Sequence, residues 1–166
     1  WAPTDSLIIG GSITTLDFAY GSFIAACTGD QDVAYRAARP ETWPSTPAGR
    51  AARQCNQDLA GKAGNFAPET SAHLYANYFT SLSGGSELIY TIAANYVSEF
   101  NSTGVADPAA DHDASTKIDL NVRLMMENGL EVKLFGKNVT DEIVGSSSLA
   151  LPLTPGSFFK LWEPGK

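Results

Sequence analysis

The sequence predicts an all-β fold, an antiparallel up-and-down meander, and three observations predict it. Five stretches alternate apolar and polar residues with period two. A strand sends successive side chains to opposite faces, so each stretch has one greasy side and one polar side. The connections between them run long, short, medium, short, long, and the short ones carry Gly-Gly or Asn-Gly, pairs that supply the positive φ of tight turns.

Taken in order, the first strand is expected over residues 6–18. Leu7, Ile9, Gly11, Ile13 and Thr15 share one face, Ser6, Gly10, Ser12 and Thr14 the other, while Ile8 and Leu16 interrupt the alternation. Residues 21–68 form a long segment rich in Pro, Ala, Gly and Arg, with short helices expected at 34–39 and 48–57. Structureless loops of that length are uncommon inside compact domains, so either the segment carries function or the strand assignment around it is wrong. The second strand, 70–82, sets Ala72, Leu74, Ala76 and Tyr78 against His73, Tyr75, Asn77 and Phe79. After the turn Ser83-Gly84-Gly85-Ser86, the third (87–100) opposes Leu88, Tyr90, Ile92, Ala94 and Tyr96 to Glu87, Thr91, Asn95 and Glu99. A polar loop at 101–115 precedes the clearest strand, 117–127, in which Ile118, Leu120, Val122, Leu124 and Met126 face away from Lys117, Asp119, Asn121, Arg123, Met125 and Glu127. Asn128-Gly129 turns the chain into the fifth strand, 130–138, and 139–166 reads as irregular.

Alternation alone fits either a half-buried sheet in water or the wall of a transmembrane barrel. The long connections all fall at one end, as in outer-membrane barrels with short turns on one side and long loops on the other, and a soluble sandwich has no physical reason for that asymmetry. Trp1, Tyr78, Tyr90, Tyr96 and Phe100 lie near strand ends, where rings with a polar tip suit a membrane interface. The barrel wall is therefore the better expectation.

Composition narrows the function. A formal net charge of −7 opposes nucleic acid as a partner, because phosphate needs a basic face. The 43% hydrophobic content and mean hydropathy of −0.10 suit a soluble protein and a barrel equally. No run of about 18 apolar residues is present, so no transmembrane helix is expected. The opening Trp1-Ala2-Pro3-Thr4-Asp5 has no signal-peptide character and no initiating Met, so the chain is expected to begin inside something larger or after processing. Cys27 and Cys55 flank a polar segment. In an oxidising compartment they would close it as a disulfide, stabilising it by roughly 3 kcal/mol; in the cytosol they would be two free thiols.

At the last two strands the pattern becomes specific. Ile118-Asp-Leu-Asn-Val-Arg-Leu124, and Asn128-Gly-Leu-Glu-Val-Lys-Leu-Phe-Gly136 running into Lys137, Asn138, Val139, Thr140, Asp141 and Glu142, resemble the C-terminal barrel of TonB-dependent outer-membrane receptors. In that family the penultimate strand ends in a Lys-Asn-Leu-Thr-Asp-Glu motif; here Val139 replaces the usual Leu. Asn and Asp at a strand exit bond nearby backbone groups, so the motif is structural. Trp1 to Leu7 is similar to the start of an upward strand, Asp17 to Tyr20 to its outer end, and Cys27 with the segment from Cys55 to Gly61 to a cysteine-containing loop of the family. The resemblance covers nearly the whole chain. It implies a partial segment of a large transmembrane β-barrel, roughly five of about 22 strands. The family's plug, coupling box and final strand are missing, so residues 1–166 are expected to be a barrel fragment with extracellular loops at 21–68, 101–115 and 139–166.

Catalysis is not expected. His73 alternates with Tyr75 and Asn77 without a nucleophile turn or a Cys-His pair. Asp107, Asp111, His112 and Asp113 match no calcium-loop spacing and read as a solvated loop. Glu87, Glu99, Asp119 and Glu131 are spread over separate strands and make no glycosidase pair. Asn101-Ser102-Thr103 and Asn138-Val139-Thr140 have the glycosylation spacing, incidental in a bacterial protein.

The resemblance implies a transporter in the bacterial outer membrane, without a cofactor, that binds a scarce nutrient of siderophore, cobalamin or oligosaccharide type. Its partners would be outer-membrane lipid, the small-molecule nutrient and, through the missing plug, the energy-coupling TonB protein. Tyr35, Arg36, Arg39, Trp43 and Arg50 are ligand candidates by residue type alone. The alternative is a secreted, soluble β-sandwich or small barrel acting as a binding module, with the apolar face buried in its core.

Overall fold

The computed structural model describes residues 1–39, 54–151, 154 and 156–163. Strand β1 (Leu7–Thr15) leads into a lobe holding β2 (Ile24–Ala26), helix α1 (Gly29–Ala37) and β3 (Asn56–Asp58). The hairpin of β4 (Thr70–Ser81) and β5 (Glu87–Val97) follows. A small ladder of β6 (Phe100–Asn101) and β7 (Asp111–His112) precedes a second hairpin, β8 (Ser115–Met125) and β9 (Glu131–Gly136). A last hairpin pairs β10 (Gly145–Ala150) with β11 (Phe158–Trp162).

Strands β1, β4, β5, β8 and β9 form one antiparallel sheet in that order, so the meander and the all-β class are as the alternation predicts. Ile9, Ala76, Ile92, Leu120 and Gly136 stand in one row across it, with Leu7, Tyr78, Tyr90, Val122 and Leu134 in a parallel row two residues along. These rows belong to a single apolar face. The opposite face carries rows such as Ser12, His73, Asn95 and Lys117. There Thr91 Oγ donates to Asn77 Oδ1 at 2.7 Å, and His73 Nδ1 lies 2.8 Å from Asn95 Oδ1.

Burial runs against the usual order for a sheet in water. Ile13 is 70% exposed, Leu134 74% and Ile92 49%, all on the apolar face, whereas Ile89 on the polar face is only 5% exposed. Among the described residues no second layer covers the apolar face. Among the described residues the buried hydrophobic ones are Leu59, Ile89 and Ala110, too few to make a conventional core.

Three expectations are corrected. Residues 139–166 are not simply irregular, because 145–150 and 158–162 pair as a hairpin with a register shift near Ser147. Phe159 and Leu161 alternate with Phe158, Lys160 and Trp162 there, a short strand pattern bounded by Gly156 at φ +77°. Helix α1 begins at Gly29, five residues before the expected start at 34. Thr28 and Gln31 make a capping box, with Thr28 N–H donating to Gln31 Oε1 at 2.9 Å and Gln31 N–H to Thr28 Oγ at 3.3 Å. Of the helix expected at 48–57, residues 48–53 lie outside the described residues, and Asn56–Asp58 is strand β3.

Candidate functional site at the loop end of the sheet

The long connections leave the sheet at one end and knit together there. The Cys27–Cys55 disulfide spans 28 residues, with Cα atoms 5.4 Å apart. Beside it Cys27 N–H donates to the Cys55 carbonyl at 3.1 Å, extending the β2–β3 ladder. Gln57 crosses between loops, its Nε2 donating to Ala26 O at 3.0 Å and to Val105 O at 2.8 Å. Phe66 N–H donates to Asn101 O at 2.8 Å. An aromatic chain then joins three connections: Phe66 to Phe100 at 6.1 Å, Phe100 stacked on His112 at 4.9 Å, and His112 edge-on to Trp162 at 6.4 Å.

Asn101 is the hub of the 100–112 loop. Its Nδ2 donates to Asp107 O at 2.7 Å and to Asp111 Oδ1 at 2.5 Å, and its Oδ1 accepts from Thr103 N–H and Oγ.

Beneath these loops lies a cleft of about 610 Å³, bordered by Lys62, Glu69, Tyr96, Glu99, Asp111 and Asp113. Carboxylates outnumber cations on this rim, so the cleft carries negative potential. Among the described residues no group of three or more His, Cys, Asp or Glu converges as a metal site.

The residues singled out by sequence distribute unevenly. Arg36 pairs with Asp32 at 2.6 Å on α1, and the Arg39 guanidinium sits 4.1 Å over the Tyr35 ring. These side chains engage each other on α1 and just past its C-terminal end. Trp43 and Arg50 lie outside the described residues. Glu87, Glu99, Asp119 and Glu131 stay apart, and Asp119 Oδ1 accepts from Asn138 N–H at 2.8 Å. Lys137, Asn138, Val139, Thr140, Asp141 and Glu142 form the exit from β9. There Asn138 and Asp141 take positive φ (47° and 56°), and Val139 N–H donates to Ile118 O at 2.8 Å.

Sequence reasoning missed the surroundings of His112. Ser102, Ser148, Lys160 and Trp162 gather on it from positions up to 50 residues away in the chain, and no local pattern announces that. Burial, followed by the Lys160 charge, pushes the imidazole below its ordinary value near 6.5, and Asp111 and Asp113 oppose the shift.

Comparison of the chain with family models, curated proteins and solved structures returned no match.

Proposed function

We propose that this chain is part of the wall of a large transmembrane β-barrel, an outer-membrane TonB-dependent receptor that takes up a scarce nutrient of siderophore, cobalamin or oligosaccharide type. One observation carries the reading: among the described residues the apolar face of the five-stranded sheet is open, while the middle of its polar face, at Ile89, is covered. Lipid chains satisfy such a face at no cost, whereas water penalises it by about 25 cal/mol for each Å² of apolar surface.

Dimensions support the same reading. Strands β4, β5 and β8 have 12, 11 and 11 residues, the length that crosses a hydrocarbon core when tilted. In this reading the loop end is extracellular, its cleft meets the nutrient, and the TonB protein acts through a plug outside this chain.

The soluble-module alternative requires a cover for Ile13, Ile92, Leu120 and Leu134, which the described residues do not supply. Purification separates the two. The barrel reading expects aggregation in plain buffer and a β-rich, monodisperse species in detergent or liposomes. A product that is monodisperse and melts cooperatively in plain buffer overturns it.

A further inference from the structure

Two connections of the loop end meet on one imidazole, and the second of them, the β10–β11 hairpin, is docked there through side chains. His112 is 3% exposed. Its Nε2 lies 3.0 Å from Ser102 Oγ and 3.2 Å from Ser148 Oγ. Ser102 Oγ donates its own proton to the Ala110 carbonyl at 3.2 Å, which leaves its lone pairs to accept from Nε2–H. In that neutral tautomer Nδ1 carries the lone pair. Nδ1 has no hydrogen-bond partner and abuts Gly145, where even a Cβ would collide with it.

The β10–β11 hairpin belongs to a separate two-stranded sheet and, among the described residues, shares no backbone hydrogen bond with the five-stranded one. Side chains dock it. Ser148 reaches His112, Trp162 lies edge-on to the same ring, and Lys160 Nζ donates to Asp111 O at 2.9 Å. Glu163 pairs with Lys117 at 2.7 Å in a partly exposed bridge, and Gly156 at the tip approaches Asp30 of α1. Exposed ion pairs of this kind contribute little, so the buried ring is the principal latch.

We propose that the β10–β11 hairpin is a flap across the loop end, latched by neutral His112, and that protonation of this imidazole releases it. A second proton must go on Nδ1, where it would point at Gly145 with no acceptor, in a buried setting beside the Lys160 ammonium. A buried donor left unsatisfied, together with a buried charge, is strongly unfavourable. Asp111 and Asp113, on the imidazole's own element, act the other way; Lys160 is the charged group facing it from the hairpin, with Glu163 held by Lys117. The sign follows directly. The docked ring titrates below the free one, so docking is at full strength above pH 6.5 and weakens as pH falls through the window beneath it.

The test uses the full chain with its disulfide intact, in whichever medium keeps it monodisperse, so it does not depend on the transporter reading. Spin labels at Ser157→Cys on the flap and Asn128→Cys in the turn at the far end of the sheet report their separation by pulsed dipolar spectroscopy. At pH 7.5 one narrow distance distribution is expected, and at pH 5 a broad one. Lys160→Met brings the titration of the docked ring up toward that of the free one and should shrink the loss of docking between the two pH values. Asp113→Asn lowers the titration of both and should move the midpoint to lower pH. His112→Gln should abolish the response whether the flap ends up docked or free. The proposal is overturned by a wild-type distance unchanged between the two pH values. It is equally overturned by a His112→Gln response like the wild type's, or by charge variants that change neither the size of the response nor its midpoint.

Discussion

Asn138 holds the Glu142 backbone by both ends of its amide: Nδ2 donates to the Glu142 carbonyl at 2.9 Å, and Oδ1 accepts from Glu142 N–H at 3.0 Å. The clasp closes the turn leaving β9, and it is anchored to β8 because Asn138 N–H reaches Asp119 Oδ1. Asn also tolerates the φ of +47° that this position adopts. Two separable contributions therefore meet in one residue. Asn138→Ala loses both and should destabilise by about 2–4 kcal/mol, whereas Asn138→Gly keeps the backbone freedom and should cost about 1–2 kcal/mol. Denaturant midpoints of the three proteins should fall in the order wild type, Gly, Ala; equal midpoints for Gly and Ala would remove the conformational part of the account.

The Cys27–Cys55 bridge closes a loop with 28 residues of separation, for which chain entropy gives about 3.5 kcal/mol. That contribution belongs to the lobe of β2, α1 and β3, since the sheet is paired independently of it. Replacing both cysteines by Ser should hasten tryptic cleavage after Arg36 while leaving the strand signal in far-ultraviolet circular dichroism unchanged. A loss of strand signal in step with cleavage would show that lobe and sheet form one cooperative unit instead.

Close approach to His112 makes Gly145 intolerant of any side chain. Gly145→Ala should unseat the imidazole or the hairpin at neutral pH and shift Trp162 emission, read with Trp1 and Trp43 changed to Phe. Ser146→Ala, one residue along, should leave that emission as it was, because Ser146 Oγ bonds Leu161 O within the hairpin itself.

The sheet was legible in the sequence because its information is local. Period-two runs set the faces, and Gly84-Gly85 and Asn128-Gly129 set the two short turns, so the register of β4 with β5 and of β8 with β9 followed. The strands predicted at 70–82 and 87–100 differ from the observed ones by one residue and three residues at their C-terminal ends. The loop end was far less legible. Asn101, Gln57 and His112 act through partners tens of residues away, and nothing in their immediate neighbours encodes those contacts. Strands β10 and β11 went unread because Ser146-Ser147-Ser148 lacks the β-branched and aromatic residues that mark strands, and the hairpin bulges where it begins. The capping box at Thr28 and Gln31 was readable, and the Pro- and Ala-rich surroundings obscured it.

Leu120 and Asn121 are neighbours in β8 that point to opposite faces, and together they weigh the lipid-facing proposal against its soluble alternative. Leu120 is 43% exposed in the middle of the apolar face, between Ile92 and Gly136, while Asn121 lies opposite Thr91 and Phe135 on the polar face. If acyl chains cover the apolar face, Leu120→Arg places a charge near mid-bilayer and should weaken insertion into liposomes by about 2–4 kcal/mol, a roughly 30- to 1,000-fold loss of inserted material. Asn121→Asp puts a charge on the polar side and should insert as the wild type does. In water the order reverses, since Leu120→Arg breaks up an exposed greasy surface and should raise solubility. Flotation of the two variants with liposomes, beside their sedimentation in plain buffer, measures both arms at once. Full flotation of Leu120→Arg, equal to that of Asn121→Asp, would mean that this face does not meet lipid.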